Sequence, residues 1–377
     1  MKRLFATLLS ILLLVSTAAC SADVSQVGEP SQTTQATNPT ESPVEVITDE
    51  VKAELDAVLA QYKYEGIVYL TRNGKVVYQS VSGTNDLGVP LTVDSPMFIC
   101  SISKQFCATA IVMLRDQGKL SLDDTLEKYF PEYTIGKDIT LKNLLSMRSG
   151  ICRDYVQALK NPELYAQKTP EEFNTGMMEW IFSQRLNFEP GTKFEYSNIN
   201  YILLSYVVEK ASGQSYEEFI RQNIFQPLGM THSGFVNEIS NHPEWGLTYD
   251  RLMPGSQLGD QPQGCGDIVT TAADLDIWMT ALKSGQVISQ ESYREMTTNY
   301  SPDQSTGYGY GLIKGIRNGW GHNGGNMSYT SRMYFNVEYG YNFFIVTNNT
   351  SQYRPDASDA TATAFLRTLF EAEDAAE

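Results

Sequence analysis

Apolar positions along this chain recur first at helical spacing, then in strict alternation, then at helical spacing again. In TDEVKAELDAVLAQYKY, residues Val51, Leu55, Val58, Leu59 and Tyr62 share one face, which predicts a helix opened by Thr48 or Asp49. GIVYLTRNGKVVYQSVSG is two β-rich runs around Asn73-Gly74, the pattern of a two-residue hairpin. A long helical region follows. KQFCATAIVMLRDQG closes on Gly118, NYILLSYVVEKASG on Gly213, YEEFIRQNIFQPLG on Pro227 and Gly229, and TAADLDIWMTALKSG on Gly285. After Gly307 the pattern returns to β in SYTSRMYFNV and YNFFIVTNN, and DATATAFLRTLFEA predicts a last helix. The order predicts an α+β (α/β sandwich) fold. The β segments from both ends of the chain join one antiparallel sheet, terminal helices pack on it, and the middle forms a mostly helical second lobe.

The first residues follow a different pattern. Lys2 and Arg3 precede the short apolar run LFATLLSILLLV and the small residues STAAC, which reads as a secretory signal over residues 1–19. The run is shorter than the ~20 apolar residues of a membrane span. STAAC resembles a bacterial lipobox with Cys20 as the lipidated residue, although Thr17 stands where Leu is usual. Residues 20–47 are rich in Ser, Thr, Gln and Pro and cannot bury enough surface to order themselves, so they read as a tether. These features predict an extracytoplasmic lipoprotein of a bacterial cell membrane. The globular part is then 48–377, with a sheet lobe over about 48–98 and 266–373 and a helical lobe over about 99–265.

The chain has 377 residues, a net charge of −16 and 42% hydrophobic residues, so a large core is available and no basic surface for nucleic acid is indicated. Five cysteines include Cys20. Cys100 and Cys107 lie about 10 Å apart by helical rise, beyond the ~7 Å a disulfide allows. Export permits the other pairings among Cys100, Cys107, Cys152 and Cys265, and buried free thiols are the preferred expectation, since isolated cysteines pack as small hydrophobes. His232, His242 and His322 have no metal-ligand spacing, and no metal or cofactor is expected.

GWGHNGG at Gly319–Gly325 matches the dinucleotide fingerprint G-x-G-x-x-G. That fingerprint must open a helix within a βαβ unit. Here a β-rich segment follows, so the dinucleotide reading fails. Two upstream motifs give the loop another meaning. Ser101-Ile102-Ser103-Lys104 is an S-x-x-K at the start of a helix, where residues three apart share a face. A serine needs a neighbouring base to become a nucleophile, and a lysine whose pKa is lowered by burial can serve. Tyr196-Ser197-Asn198 follows the Pro190-Gly191 turn and offers a proton relay and an amide for a substrate carbonyl. Tyr334-Phe335-Asn336 has the same spacing but sits in a strand, where its side chains belong to packing. Nothing matches the G-x-S-x-G elbow of α/β-hydrolases.

S-x-x-K, then Y-x-N, then His322-Asn323-Gly324, in that order, resembles the penicillin-recognising serine hydrolases. The likeness is strongest to the branch holding class C β-lactamases, D-alanyl-D-alanine carboxypeptidases, D-aminopeptidases and related esterases. It runs from about Thr48 to the end and includes FICSISKQF, ITLKNLLSMRSGI and FEPGTKFEYSNINY. The resemblance implies a β-lactamase/DD-peptidase-like fold and these roles: Ser101 as the acylated nucleophile, Lys104 and Tyr196 sharing the general-base and general-acid work, and Asn198 on the substrate amide. His322-Asn323-Gly324 would form a third wall on a strand edge, with the N–H groups of Ser101 and Gly325 as oxyanion donors. The implied substrates are small molecules or peptidoglycan-derived peptides, D-amino-acid esters or β-lactams. The competing expectation is a penicillin-binding or cell-wall-sensing protein that acylates with little turnover.

The chain departs from the family at three places. His322 replaces the lysine of class C β-lactamases, Met147-Arg148 stands where many members have His-Thr, and Cys100 precedes the nucleophile where Gly or Ala is usual. Lys283-Ser284-Gly285 matches the family's alternative third motif, but at a helix end, where Lys and Gly act as caps. Lys283 is expected at the surface, and a turn-edge His322 is expected to add little to the core. The stretches 160–176 and 242–264 carry no readable substrate code.

Overall fold

The computed structural model describes residues 47–153, 170–248, 263–326, 328–349 and 355–376. The predicted signal peptide, Cys20 and the tether lie outside the described residues, as do parts of the stretches 160–176 and 242–264. Among the described residues the longer helices are α1 (Asp49–Gln61), α2 (Lys104–Asp116), α3 (Pro170–Ser183), α4 (Asn198–Ser212), α5 (Ala272–Ser284), α6 (Gln290–Met296) and α7 (Pro355–Ala376). Strands β1 (Ile67–Arg72), β2 (Lys75–Val81), β6 (Ile313–Lys314), β7 (Trp320–Gly325), β8 (Thr330–Phe335) and β9 (Tyr341–Thr347) form an antiparallel sheet in the order β2-β1-β9-β8-β7-β6. The N-terminal hairpin thus pairs with the last strand, as the sequence predicts.

Alternation along the strands feeds two cores. Ile67 and Tyr69 face the larger core, while Val68 and Leu70 face Leu55, Leu59, Phe365, Leu366 and Leu369 of the terminal helices. Thr48 caps α1 by accepting the Val51 N–H. Asn73 and Gly74 both have positive φ, 50° and 76°, as a two-residue hairpin turn requires. The segment from Tyr216 differs from the single helix expected. It breaks into Tyr216–Ile220, a π-helical turn Arg221–Phe225 and Gln226–Leu228, and Gly229 in the left-handed region ends it. Pro227 lacks an N–H, so it sits in the last turn without terminating it.

A second sheet joins β3 (Met97–Phe98), β5 (Ile268–Thr270) and β4 (Gly234–Phe235) in the order β3-β5-β4, and it was not expected from the sequence. It brings the segment before Ser101 against the segment after Cys265. Ile99 N–H donates to Ile268 O at 3.2 Å, and Ile268 N–H donates to Ser103 Oγ at 3.1 Å. α2 is buried over most of its length, including Phe106, Ala110 and Leu114, with Trp278 of α5 stacked on Phe106 at 4.2 Å between centroids. The site's central helix is therefore a rigid, packed element.

Candidate active site

Ser101 lies in a 3₁₀ turn, Cys100–Ser103, that runs directly into α2. Lys104 Nζ donates to Ser101 Oγ at 2.9 Å and to the Cys265 carbonyl at 2.7 Å. The Lys104 side chain is fully buried, and its Nζ lies 5.2 Å from the centroid of the Tyr196 ring and 5.9 Å from that of Tyr201. The S-x-x-K spacing thus becomes a contact between nucleophile and amine. Ser101 is half-buried at the mouth of a cleft of about 370 Å³ lined by Tyr196, His322, Asn323, Gly324, Gly325, Thr330 and Asp359, among others.

Gly319–Gly325 is mostly strand: residues from Trp320 on form β7 and pair with β8. β6 pairs only with Trp320 and Gly321. Among the described residues no strand pairs with His322–Gly325 on that edge, so this stretch of backbone borders the cleft. Gly324 has no room for a side chain. A β-carbon there would lie 2.3 Å from Ile99 O, 2.5 Å from Ser331 Oγ and 2.8 Å from Cys100 Cβ. At Gly325 the nearest atom would be 3.9 Å away. Ser331 Oγ donates to Ile99 O at 2.8 Å, which ties β8 to the same turn. Cys100 itself has φ 52°, a left-handed conformation for a side-chain-bearing residue.

His322 is buried, 3% exposed, and is not the turn-edge residue expected. The segment is a strand, as expected of the third wall, but its alternation turns the His322 ring inward. Its Nδ1 contacts the Asn323 carbonyl, so Nδ1 carries the hydrogen, and Nε2 accepts from Tyr308 Oη at 3.4 Å. Burial, with help from the Lys104 charge, lowers its pKa to about 3, against a smaller upward pull from the Asn323 carbonyl. The ring is neutral at pH 7 and offers a substrate no cation.

Asn198 is the first residue of α4, and its Oδ1 is buried without a hydrogen-bond partner. It is not among the residues lining the cleft. Neither motif-like alternative reaches Ser101's cleft. Lys283 is half-buried, donates to Asn342 Oδ1 at 2.6 Å, and has its pKa lowered to about 8 by burial, so it is not a surface residue. Tyr334 Oη donates to Ile316 O, and Asn336 Nδ2 donates to Tyr334 Oη, both within the packed edge of the sheet. Met147 and Arg148 serve the fold: Met147 Sδ accepts from Ser197 N–H and Asn200 Nδ2, and Arg148 binds the carbonyls of Gly191 and Tyr300. The four described cysteines are free thiols. Sequence reasoning missed Tyr308, Ser331 and the Cys265 carbonyl. None belongs to a motif, and a backbone carbonyl leaves no signature in residue identity.

A family model described as Beta-lactamase matches residues 51–367, and the chain belongs to this family of serine hydrolases. It is 31% identical over 312 residues to "Putative penicillin-binding protein PbpX" of Bacillus subtilis (strain 168), covering 76% of this chain and 75% of that protein. It is 25% identical over 341 residues to "Protein flp" of Staphylococcus aureus (strain NCTC 8325 / PS 47), covering 82% of this chain but only 65% of that protein. The solved D-amino acid amidase from Ochrobactrum anthropi SV3 shares the fold, with a TM-score of 0.70 at 22% identity over 86% of this chain and 100% of that one.

Proposed function

We propose that this serine hydrolase works through an acyl-enzyme on Ser101, acting on D-amino-acid peptides, amides or esters. The observation that carries the reading is the 2.9 Å contact between Lys104 Nζ and Ser101 Oγ in a buried setting. As Ser101 Oγ attacks the substrate carbonyl, the Lys104 amine takes its proton. The oxyanion forms at the N–H groups of Ser101 and Gly325. Tyr196, whose ring lies against the Lys104 ammonium, passes a proton to the leaving amine or alkoxide as the carbonyl re-forms. Water then hydrolyses the ester on Ser101. The open edge at His322–Gly325 lets an extended substrate run beside β7. Similarity to penicillin-binding proteins and the shared fold of a D-amino acid amidase support this substrate class.

One observation favours a second reading, acylation with little turnover. Asp359 is the one carboxylate among the cleft's described lining residues, and it is engaged by Asn323 Nδ2 at 3.1 Å and by Arg332. It is therefore not a free base for the deacylating water. Incubation with D-Ala-D-Ala peptides, D-amino-acid amides, short-chain esters and a chromogenic β-lactam separates the two. Product accumulating over many turnovers supports the hydrolase, whereas one equivalent of product with a stable adduct supports the trapped form. The signal run and STAAC further support membrane tethering through Cys20. Cys20→Ala should move the protein from the membrane to the soluble fraction, and a wild type already soluble outside the cell contradicts the anchor.

A further inference from the structure

The carbonyl that receives Lys104 belongs to Cys265, which sits in a turn over residues 263–266. Something must hold that turn, because a shift of about 1 Å in a catalytic group can cost 10²-fold in rate. Asp267 is the residue placed to do so. Its Oδ2 accepts the Gly264 N–H at 3.0 Å across the turn, and its own backbone carbonyl accepts the Val236 N–H at 2.9 Å. Gly264 has φ 79°, and a β-carbon there would lie 2.7 Å from Tyr201 O and 3.2 Å from Cys107 Sγ. The turn is thus pressed against α2 and α4. Asp267 is 5% exposed, and its other oxygen, Oδ1, is buried with no hydrogen-bond partner.

An asparagine could accept the same N–H, whereas an alanine could not. From these contacts we infer that Asp267 is a positioning residue for Lys104: its side-chain oxygen closes the turn on Gly264 and so fixes the Cys265 carbonyl that receives the Lys104 amine. The groups facing it are Lys104 and Cys107 from α2, Tyr216 and Glu217 from the helix Tyr216–Ile220, and Cys265 from its own turn. Burial raises its pKa to about 7, against the downward pull of the Gly264 N–H, with Glu217 raising it and the Lys104 charge lowering it by less.

This inference rests on Lys104 acting as the base for Ser101. The test is the acylation kcat/KM at pH 7.5 of wild type, Asp267→Asn and Asp267→Ala, with a melting temperature for each. The Ala variant loses the acceptor for the Gly264 N–H and lets the Cys265 carbonyl move, so its kcat/KM should fall by about 10²-fold. The Asn variant keeps an acceptor there, so it should recover most of that loss. Should the Ala variant fail to fold, the Asn variant still decides: a folded Asn variant slowed by about 10²-fold overturns the role of the contact. An Ala variant that folds and acylates like wild type overturns the inference and leaves the proposed function standing. A wild type that is never acylated on Ser101 overturns both.

Discussion

Gly324 and Cys100 meet so closely that a β-carbon on Gly324 would lie 2.8 Å from Cys100 Cβ. Strand β7 is thereby seated directly on the turn that carries the nucleophile. Gly324→Ala should force the two apart and cost about 1–3 kcal/mol, the usual price of overpacking. Because the displaced turn holds Ser101, acylation should also fall by about 10²-fold. Gly325→Ala meets nothing closer than 3.9 Å and should keep the wild-type melting temperature within a few degrees. Melting curves and acylation rates for both variants check this. Equal behaviour of the two would contradict the seating of β7 on the turn.

His322 ties the third motif to stability as well as to activity. Its folded pKa is lowered to about 3, so between that value and the ordinary 6.5 the unfolded chain binds the extra proton. Its contribution is therefore complete above pH 6.5 and declines as pH falls toward 3, by at most about 1.4 kcal/mol per unit. Removing it should cost about 1–3 kcal/mol at pH 7.5, because Tyr308 Oη loses its acceptor. Denaturation of wild type and His322→Ala should show this stability gap narrowing from pH 7.5 to pH 5, with kcat/KM lower by about 10²–10³-fold at pH 7.5. A gap independent of pH would contradict a neutral, buried ring.

Lys283 gives the opposite pattern. Its bond to Asn342 joins α5 to β9, away from the cleft. Lys283→Ala should destabilise the protein by about 1–3 kcal/mol through an unpartnered Asn342 oxygen. Its kcat/KM should stay within about threefold of wild type. Abolished activity with an unchanged melting temperature would place the third motif here instead of at His322.

The legible part of this fold was local. Asn73-Gly74, the cap at Thr48 and the glycines at Gly213 and Gly285 announce their elements through backbone preferences that neighbours do not override. The S-x-x-K pair was equally legible, because helical spacing alone brings Ser101 to Lys104. What could not be read depends on chain segments that meet only in the folded molecule. Lys104 and the Cys265 carbonyl are 161 residues apart, and Ser331 and Ile99 are 232 apart. The small second sheet that aligns them has strands of two or three residues, too short for alternation to show. His322 misled for a related reason: a residue at the sheet edge was expected to add little to the core, while pairing of β7 with β8 and the contact with Tyr308 bury its ring.

The central claim is that Ser101, served by Lys104, is the acylated residue. Intact-mass analysis after exposure to a penicillin or a fluorophosphonate tests it most directly. Wild type should gain one adduct, and Ser101→Ala none. Lys104→Met, similar in length but without the amine, should acylate slower by about 10²–10⁴-fold, the range for loss of a general base. An adduct that persists in Ser101→Ala, or a Lys104→Met variant as fast as wild type, would contradict the account.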